Sequence, residues 1–342
     1  MVRPNKHIEM MRRYRSGGVL LYALKRKLRL KRELKSCGTA DRDILIHKAD
    51  DDIRGRIVAK LRKRYAEQIE EIKRRIDREN ERAEHKRSNK IWIMWWQGMA
   101  NAPAVVKMCY QSVKDRYGEN YEIILLDKDN YREYIELPED ITEKIENKEI
   151  FLEKGQMPLQ FLTDIIRLEL LIKYGGLWMD ATILCTGKSG RLPSYIENSD
   201  LFFYEVMWPN SWITSTTFES WFIYAVSNSP YLMMLRDLVY VYTRTNKRIS
   251  DYLMIYCLAE LLREKYPDLL CNKPPAANVN ALSMQRYLRE KFDANIYDCI
   301  ISNSDFHKLT WRVDGENFDK KGTLYEYLIN NYPIYQGKDK NE

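Results

Sequence analysis

The mainly apolar stretch 163–182 contains five charged residues, of which Asp164, Arg167 and Asp180 are the candidates for chemistry. Asp164 and Arg167 are three residues apart on a predicted helix, so their side chains share one face of that helix. By themselves they favour an ordinary ion pair in which each residue satisfies the other. Asp180 differs, because it directly follows an apolar strand that begins after a Gly-Gly turn. Open α/β sheets bind their ligands at the carboxyl ends of such strands, so Asp180 is the first candidate for ligand contact.

The elements that position these residues are predicted to form an α/β body from residue 90 onward. An apolar run predicts a strand over 91–96, followed by a helix over 103–116 and a second strand over 121–126. Strand, helix and strand at this spacing indicate a parallel sheet. Apolar periodicity and breaker residues then predict further elements, namely a helix over 158–174, a strand over 177–184 and helices at 218–227, 231–244 and 249–264.

The stretch 163–182 resembles the signature of the capsular polysaccharide synthesis proteins and of the related family-32 glycosyltransferases. In that signature an Asp-x-x-Arg helix leads through Gly-Gly to a strand that ends in Asp-x-Asp or Asp-Ala-Thr. Segments 91–98, 250–253 and 307–310 support the resemblance by their order and spacing. The resemblance covers roughly residues 90–335.

The resemblance implies a fold of the glycosyltransferase-A type, a nucleotide-sugar-binding α/β domain with a mostly parallel sheet flanked by helices. It places the catalytic domain at 89–342 and leaves 1–88 as a basic, charge-rich helical extension. Apolar residues in this extension recur every three or four positions, which predicts one stripe on a long helix. The stripe consists of Ile57, Leu61, Tyr65, Ile69, Ile72 and Ile76. It is shorter than a coiled coil requires, so packing on the body and self-association both stay open.

The end of the first predicted strand offers a site for a nucleotide base. Trp95 and Trp96 stand there, where an aromatic ring can stack on the base, and Gln97 can meet the edge of the base. Side chains alternate along a strand, so only one of the two tryptophans stacks and the other belongs to the core. By the resemblance, Trp95 is the residue that stacks.

By the same resemblance, Asp164 and Arg167 bind the sugar and phosphate region of the donor. Asp180 holds the ribose and a divalent metal, Mn²⁺ or Mg²⁺. The sequence departs from Asp-x-Asp at the next ligand, because Thr182 stands where a second carboxylate is expected. A hydroxyl is a poorer ligand than a carboxylate for these ions. The resemblance therefore implies a metal-assisted enzyme, with a weaker metal dependence than a complete Asp-x-Asp enzyme has.

His307 is the only one of four histidines in the predicted catalytic domain, and Lys308 follows it. In the related enzymes a late His or Lys folds over the diphosphate, as a metal ligand or as a point charge on the leaving group. The resemblance thus predicts a metal site of Asp180, Thr182 and His307, with Lys308 also at the donor. A structural role for the lone histidine is the alternative.

Candidates on the acceptor side are two further carboxylates. Glu205 ends an apolar run and Asp251 lies in the late Ser-Asp-Tyr-Leu segment, so each can bind the acceptor or act as a base. Each is equally well explained as a helix cap or a surface charge. The related families transfer sugars with retention of the anomeric configuration. The resemblance therefore predicts a retaining enzyme without a dedicated general base.

Composition narrows the class of protein. The chain has 342 residues, 45% hydrophobic and 31% charged, which is typical of a soluble globular protein of about two units. Its longest apolar run is far shorter than the ~20 residues of a membrane-spanning helix, and no secretory signal is evident.

The closest two of its six cysteines, Cys257 and Cys271, are too far apart for a CxxC metal unit. Reduced thiols and a cytoplasmic protein are expected.

Positive charge is concentrated in residues 1–36, which carry twelve Lys or Arg against Glu9 and Glu33. The rest of the chain is slightly acidic. A basic amphipathic helix can bind an anionic membrane surface, and capsule glycans usually grow on a lipid carrier at the inner face of the cell membrane. A packed or solvated helical extension explains the pattern equally well. Nucleic-acid binding is disfavoured, because the segment has few aromatics and no known nucleic-acid module.

These features predict a glycosyltransferase that moves a hexose from a nucleotide-diphosphate sugar, expected to be a UDP-sugar. The predicted acceptor is a growing capsular or surface polysaccharide or its lipid-linked precursor. A non-catalytic interaction protein with a degenerate transferase body is the main alternative, because Thr182 replaces the second acid. A sugar-phosphate transferase that uses the same donor is a third hypothesis. Whether the chain forms a homo-oligomer stays open.

Overall fold

A computed structural model describes residues 6–207, 216–313 and 319–337. Helices come first, as predicted for the amino-terminal extension. They are α1 (Lys6–Ser16), α2 (Leu20–Ser36), α3 (Thr39–Arg64) and α4 (Ala66–Asn80).

The predicted apolar stripe runs along α3 and α4, which are two helices rather than one. The chain leaves the helical conformation at Tyr65, whose N–H still donates to the Leu61 carbonyl at 2.9 Å. All six stripe residues are at most 6% exposed and belong to the same core as the helices of the body. The stripe therefore packs on the body, the first of its two alternatives. Residues before and after the predicted domain boundary at 88 therefore belong to one continuous apolar core.

Within the described residues, seven strands form two sheets. They are β1 (Lys90–Met94), β2 (Glu122–Leu126), β3 (Gly176–Met179), β4 (Ile183–Cys185), β5 (Leu201–Glu205), β6 (Phe218–Ala225) and β7 (Phe306–Lys308). The main sheet has the order β2-β1-β3-β6-β5. Strand β1 pairs in parallel with β2 and β3, whereas β6 is antiparallel to β3 and β5. Four of its five strands point the same way, which confirms a mostly parallel sheet. Strands β4 and β7 form a separate antiparallel pair.

Helices flank the main sheet, as predicted. They are α5 (Ala104–Tyr117), α6 (Glu139–Glu146), α7 (Leu159–Tyr174), α8 (Ser194–Glu197), α9 (Pro230–Thr245), α10 (Met254–Lys265), α11 (Val279–Tyr287), α12 (Ala294–Asn303) and α13 (Leu324–Asn331). Trp92 and Met94 of β1 lie in one core with α3, α4, α7, α9 and α10, whereas Ile91 and Ile93 lie in a second core with α5. This alternation is what a strand buried on both faces requires.

Gly175 and Gly176 join α7 to β3 with φ values of 68° and 94°. A β-carbon on Gly176 would collide with the Lys90 carbonyl, and one on Gly175 would lie 2.9 Å from the Ser227 nitrogen. Glycine is therefore required for β3 to start against β1 directly after α7 ends. This close approach sets the position of Asp180, four residues further on.

Two predicted elements were wrong. Segment 218–227 was predicted as a helix but holds strand β6, all eight residues of which are buried between β3 and β5. An apolar run that is buried on both faces lacks the alternation that distinguishes strand from helix. The predicted strand 177–184 is two strands, because the chain turns at Asp180, whose carbonyl accepts from the Ile183 N–H at 3.0 Å. The turn directs β4 out of the main sheet to pair with β7.

Two further observations concern the cysteines and the membrane. All six cysteines are free; three of them are buried, Cys37 is half-buried, and Cys271 and Cys299 are exposed. Within the described ranges, none of the helices combines the length and the apolar character that a bilayer crossing needs.

Candidate active site

The residues around Asp180 gather at the carboxyl edge of the main sheet. Asp180 directly follows β3, and its backbone N–H donates to the Trp221 carbonyl of β6 at 2.9 Å. Because β1 is parallel to β3, Trp95, which follows β1, lies along the same edge. Strand β6 runs antiparallel to β3, so its amino-terminal end, which includes Ser220, lies at the same edge. Side chains from distant parts of the chain therefore meet at this edge.

Helix α7 supplies Asp164 and Arg167, which are 2% and 4% exposed. Nη1 of Arg167 lies 3.0 Å from Oδ1 of Asp164 and donates to the Ser220 carbonyl at 2.6 Å. Nη2 of Arg167 lies 3.5 Å from Oδ1 of Asp180. The ion pair expected from the spacing on the helix is present, and it is part of a larger group. Arg167 connects α7 to the ends of both β3 and β6.

Trp178 fixes two of these charged groups. Its indole Nε1 donates to Oδ1 of Asp180 at 3.0 Å. The guanidinium of Arg167 lies over the same ring, 4.9 Å from its centroid, at a distance typical of a cation–π contact. Sequence reasoning did not select Trp178, although its position two residues before Asp180 places both side chains on one side of the strand.

Lys308 approaches from β7. Its Nζ donates to Oδ2 of Asp180 at 2.9 Å and to Oγ1 of Thr182 at 2.6 Å. The pairing of β7 with β4 sets Lys308 opposite Ile183, and so beside the turn that carries both acceptors. We call the group of Asp164, Arg167, Trp178, Asp180, Thr182 and Lys308 the edge cluster.

Burial and charge act differently on the two carboxylates of the edge cluster. Burial raises the pKa of Asp164 to about 6; the Arg167 charge opposes this rise and the Asp180 charge adds to it. Burial also acts to raise the pKa of Asp180, but the charges of Lys308 and Arg167 outweigh it and hold that pKa below its usual range. Asp180 is therefore the permanent anion of the cluster, and Asp164 is the group that titrates at mildly acidic pH.

The structure does not bring His307 into the edge cluster. Adjacent residues of a strand point to opposite sides, so the His307 ring lies away from the side chain of Lys308. The ring is fully buried and shares a hydrogen bond of 2.9 Å with Oγ1 of Thr186. Burial lowers its pKa to about 4, against a smaller opposite effect of a backbone hydrogen bond, so the ring is neutral at physiological pH. This environment favours the structural alternative for His307.

The residues predicted to hold Mn²⁺ or Mg²⁺ do not fit such an ion. An ammonium group, Nζ of Lys308, lies between the oxygens of Asp180 and Thr182, and His307 faces elsewhere. Both oxygens of Asp180 already accept from nitrogen donors. In the described part of the chain, no group of three or more His, Cys, Asp or Glu side chains is suited to hold a metal. Hard divalent cations need several oxygen ligands, and one carboxylate paired with an ammonium does not supply them.

The two tryptophans after β1 face opposite sides, as predicted. Trp96 packs against the first core and lies 6.0 Å from the ring of Tyr131. Trp95 packs against the second core and meets the half-exposed ring of Trp311 edge-on, with centroids 5.9 Å apart. Nε1 of Trp95 is buried and makes no hydrogen bond within the described residues. Gln97 is exposed, and its carbonyl accepts from the Asn101 amide.

The two acceptor-side candidates lie outside the edge cluster and have other partners. Glu205 ends β5, two strands from β3, and pairs with Nζ of Lys273 at 3.4 Å. Oδ1 of Asp251 accepts from the backbone N–H of Leu253 at 2.8 Å and from Nε of Arg54 at 3.4 Å. Asp251 therefore holds the turn that leads into α10 and ties this turn to α3, but it does not cap the helix, whose N-cap residue is Leu253.

Two residues near the site were missed. Glu219 at the start of β6 is 7% exposed and accepts hydrogen bonds from Tyr256 at 2.8 Å and Asn278 at 2.6 Å. Burial raises its pKa, although these hydrogen bonds lower it. Tyr252 is 49% exposed; burial raises the pKa of its phenol, the Arg312 charge opposes this rise, and the charges of Asp164 and Asp180 add to it. Glu219 could have been recognised as an acid within the aromatic run of β6. It was missed because that segment was predicted to be a helix.

Comparisons with known proteins can be set beside this geometry. Residues 44–328 match the family described as capsular polysaccharide synthesis protein. The match begins within α3, includes every member of the edge cluster and ends in α13. Among solved structures, one titled PaToxG Glycosyltransferase is 14% identical, with 62% of this chain and 83% of that chain covered and a TM-score of 0.37. No curated protein matches.

Proposed function

The chain belongs to the capsular polysaccharide synthesis protein family, and from that premise we propose that it is a glycosyltransferase. Its donor is a nucleotide-diphosphate hexose, with a UDP-sugar as the first candidate. Its acceptor is a growing capsular or surface polysaccharide or its lipid-linked precursor. The observation that carries the proposal is the edge cluster, in which α7, the end of β3 and β7 bring two cations and two carboxylates together at a ligand-binding edge.

The charges of the edge cluster suit a diphosphate leaving group. Arg167 is buried, and Lys308 and Asp180 keep 20% and 27% of their side chains exposed, so these two line the mouth of the cluster. Preorganised cations stabilise the negative charge that develops on the departing phosphate, and they do so most strongly where water is excluded. Asp180 holds both cations in place.

Trp95 supports a base-binding role at the same edge. Its ring is partly exposed, and the edge of Trp311 borders it. A planar base can stack on such a ring, and the unpartnered Nε1 has a hydrogen bond to donate. Trp96 packs against the first core and Trp95 against the second, so the choice of Trp95 as the stacking residue rests on its neighbour Trp311 and its unpartnered Nε1.

We propose a retaining transfer without a protein base. The acceptor hydroxyl oxygen bonds to C1 of the hexose as the bond from C1 to the phosphate oxygen breaks. The electron pair stays on the nucleoside diphosphate, and a phosphate oxygen takes the hydroxyl proton. The engagement of Glu205 with Lys273 and of Asp251 with Arg54 supports this course, because both candidate bases have other partners.

A panel of UDP-, GDP- and dTDP-sugars tests the proposed activity. One donor class should raise the unfolding temperature, since ligand at a hundredfold its dissociation constant adds about 2.7 kcal/mol to stability. The same donor should be cleaved slowly to a nucleoside diphosphate, detected by chromatography. Release of a nucleoside monophosphate would identify a sugar-phosphate transferase instead. No stabilisation and no cleavage by any donor would leave the non-catalytic alternative.

We also propose that α2 attaches the enzyme to an anionic membrane surface. One face of α2 is packed, with Ala23, Arg26 and Leu30 buried. The opposite face presents three leucines to solvent, Leu21 (75% exposed), Leu24 (36%) and Leu28 (60%). Four exposed cations continue or border this apolar row, namely Lys25, Arg29, Arg32 and Lys35. An apolar row bordered by cations suits the boundary between acyl chains and anionic headgroups.

The packed-extension alternative describes the buried face of α2, and the membrane proposal concerns its exposed face. Contact with an anionic surface would bring the enzyme to a lipid-linked acceptor, and it would place the protein on the inner face of the cell membrane.

A further inference from the structure

Lys308 occupies the position that the sequence offers to a metal ion. Its Nζ lies 2.9 Å from Oδ2 of Asp180 and 2.6 Å from Oγ1 of Thr182, the two oxygens expected to bind Mn²⁺ or Mg²⁺. We infer that the Lys308 ammonium is a built-in counter-charge for the donor diphosphate, so that donor binding and turnover are independent of divalent metal. This inference rests on the proposed glycosyltransferase function.

The environment of Asp180 supports the ammonium over a metal. Oδ1 accepts from the Trp178 indole and lies 3.5 Å from the Arg167 guanidinium, and Oδ2 accepts from Lys308. A divalent ion at Asp180 would have to displace the ammonium and would then lie beside two positive side chains. Like charges at such distances repel strongly in a partly buried site. The existing arrangement balances each carboxylate with a cation.

Lys308 retains a donor for the ligand. A lysine ammonium has three N–H groups, and two of them point to Asp180 and Thr182. The third is left for a phosphate oxygen at the exposed side of the cluster, where one fifth of the Lys308 side chain meets solvent. The two protein acceptors hold the ammonium in place before the donor arrives.

The backbone fixes the position of Lys308 as well. Lys308 pairs with Ile183 in the β4–β7 sheet, and the next residue, Leu309, donates its N–H to the Thr182 carbonyl at 2.8 Å. The cation is thus anchored to the same turn that carries Asp180 and Thr182. When the C1–oxygen bond breaks, the negative charge grows on a phosphate oxygen within reach of the third N–H of the Lys308 ammonium. The interaction therefore strengthens in the transition state, as electrostatic catalysis requires.

The first experiment uses the wild-type chain. Binding of UDP and GDP is measured by calorimetry in EDTA and again in millimolar Mn²⁺. The nucleotide that binds is then tested as its sugar derivative for cleavage under both conditions. We expect dissociation constants and cleavage rates that agree within twofold. Binding or cleavage that appears only with Mn²⁺ would overturn the inference and leave the glycosyltransferase proposal standing. An absence of binding and cleavage in every condition would instead reject the donor site itself, and the inference with it.

The second experiment removes the charge. Lys308→Met keeps the aliphatic stem and should weaken nucleoside diphosphate binding in EDTA at least tenfold, whereas Lys308→Arg should restore most of the affinity. Lys90→Met is the matched control, because Lys90 is also partly buried and paired with one carboxylate, Glu122, at the opposite end of β1. Undiminished binding by Lys308→Met, with an unchanged unfolding temperature, would overturn the inference. If Lys308→Met does not fold, the comparison of EDTA with Mn²⁺ on the wild-type chain still tests whether donor binding depends on a metal.

Discussion

The edge cluster and the exposed face of α2 use the same residue types in opposite environments. Arg167 and Asp164 pair with 4% and 3% of their side chains exposed, whereas Arg29 and Glu33 on α2 pair with 76% and 26% exposed. Water solvates the cations on the exposed face of α2, such as Arg29, and each of them can change partners at little cost. A charge in the edge cluster depends on its protein neighbours instead. The comparison shows why the cluster can orient a ligand and why the α2 face can only attract one.

The difference sets the scale of the expected effects. Breaking a buried ion pair leaves an unpaired buried charge and typically costs about 3–5 kcal/mol. Exposed pairs contribute about 0–1 kcal/mol. Substitutions in the edge cluster should therefore alter binding, turnover and pH dependence. Substitutions on the exposed face of α2 should alter attachment to a surface and leave the stability of the fold almost unchanged.

The largest effect is expected at Asp180. Asp180→Asn removes the negative charge that holds Arg167 and Lys308, so donor turnover should fall on the order of 10³-fold, equivalent to about 4 kcal/mol. Turnover is measured as nucleoside diphosphate released from the donor. Asp237→Asn on α9 is the control, because Asp237 is also a mostly buried acid that pairs with arginines. Equal turnover in the two variants would show that the cluster is structural only.

The next effect concerns the pH dependence of stability. The pKa of Asp164 is about 6 in the fold against an ordinary value of 3.8, so the unfolded chain binds fewer protons between these two pH values. Stability contributed by Asp164 should therefore fall as pH rises from about 4 to about 6, by about 3 kcal/mol in total. Urea unfolding at pH 4, 5, 6 and 7 should show this loss in the wild type relative to Asp164→Asn. Parallel pH profiles for the two chains would contradict the prediction.

A smaller effect is expected on membrane attachment. The double substitution Leu21→Gln and Leu28→Gln removes exposed apolar surface from α2, so binding to phosphatidylserine-containing vesicles should weaken at least tenfold, or about 1.4 kcal/mol. Co-sedimentation measures this binding, with neutral phosphatidylcholine vesicles as the reference. The buried face of α2 is untouched, so the free energy of unfolding should change by less than about 0.5 kcal/mol. Unaltered vesicle binding would reject α2 as the contact surface.

The smallest effect is expected at Arg29. Arg29→Ala breaks the exposed pair with Glu33, and the free energy of unfolding should change by about 0.3–0.5 kcal/mol at most. Arg26→Ala is the contrasting variant, since Arg26 is 8% exposed and pairs with both Glu33 and Asp52. Its loss should cost several times more. Similar costs for the two variants would contradict the contrast between buried and exposed pairs.

Local patterns in the sequence were sufficient for much of the site. Periodicity predicts α7 and places Asp164 and Arg167 on one face of it, and the Gly-Gly pair predicts the turn before Asp180. These features depend on residues within about one helix turn or one strand of each other, so the sequence determines them. The same applies to the amino-terminal helices, the buried stripe and the parallel strands β1 and β2.

Tertiary structure alone decided the rest. Strand β6 is a strand because β3 and β5 pair with both of its edges, and only that pairing brings Glu219 to the site. The choice between His307 and Lys308 depends on the register between β7 and β4, which lie more than a hundred residues apart. A shift of one residue in a strand exchanges the side chains on its two faces. The sequence therefore shows that a cationic or metal-binding residue lies near the end of the chain. The strand pairing determines that this residue is Lys308, whose ammonium contacts Asp180.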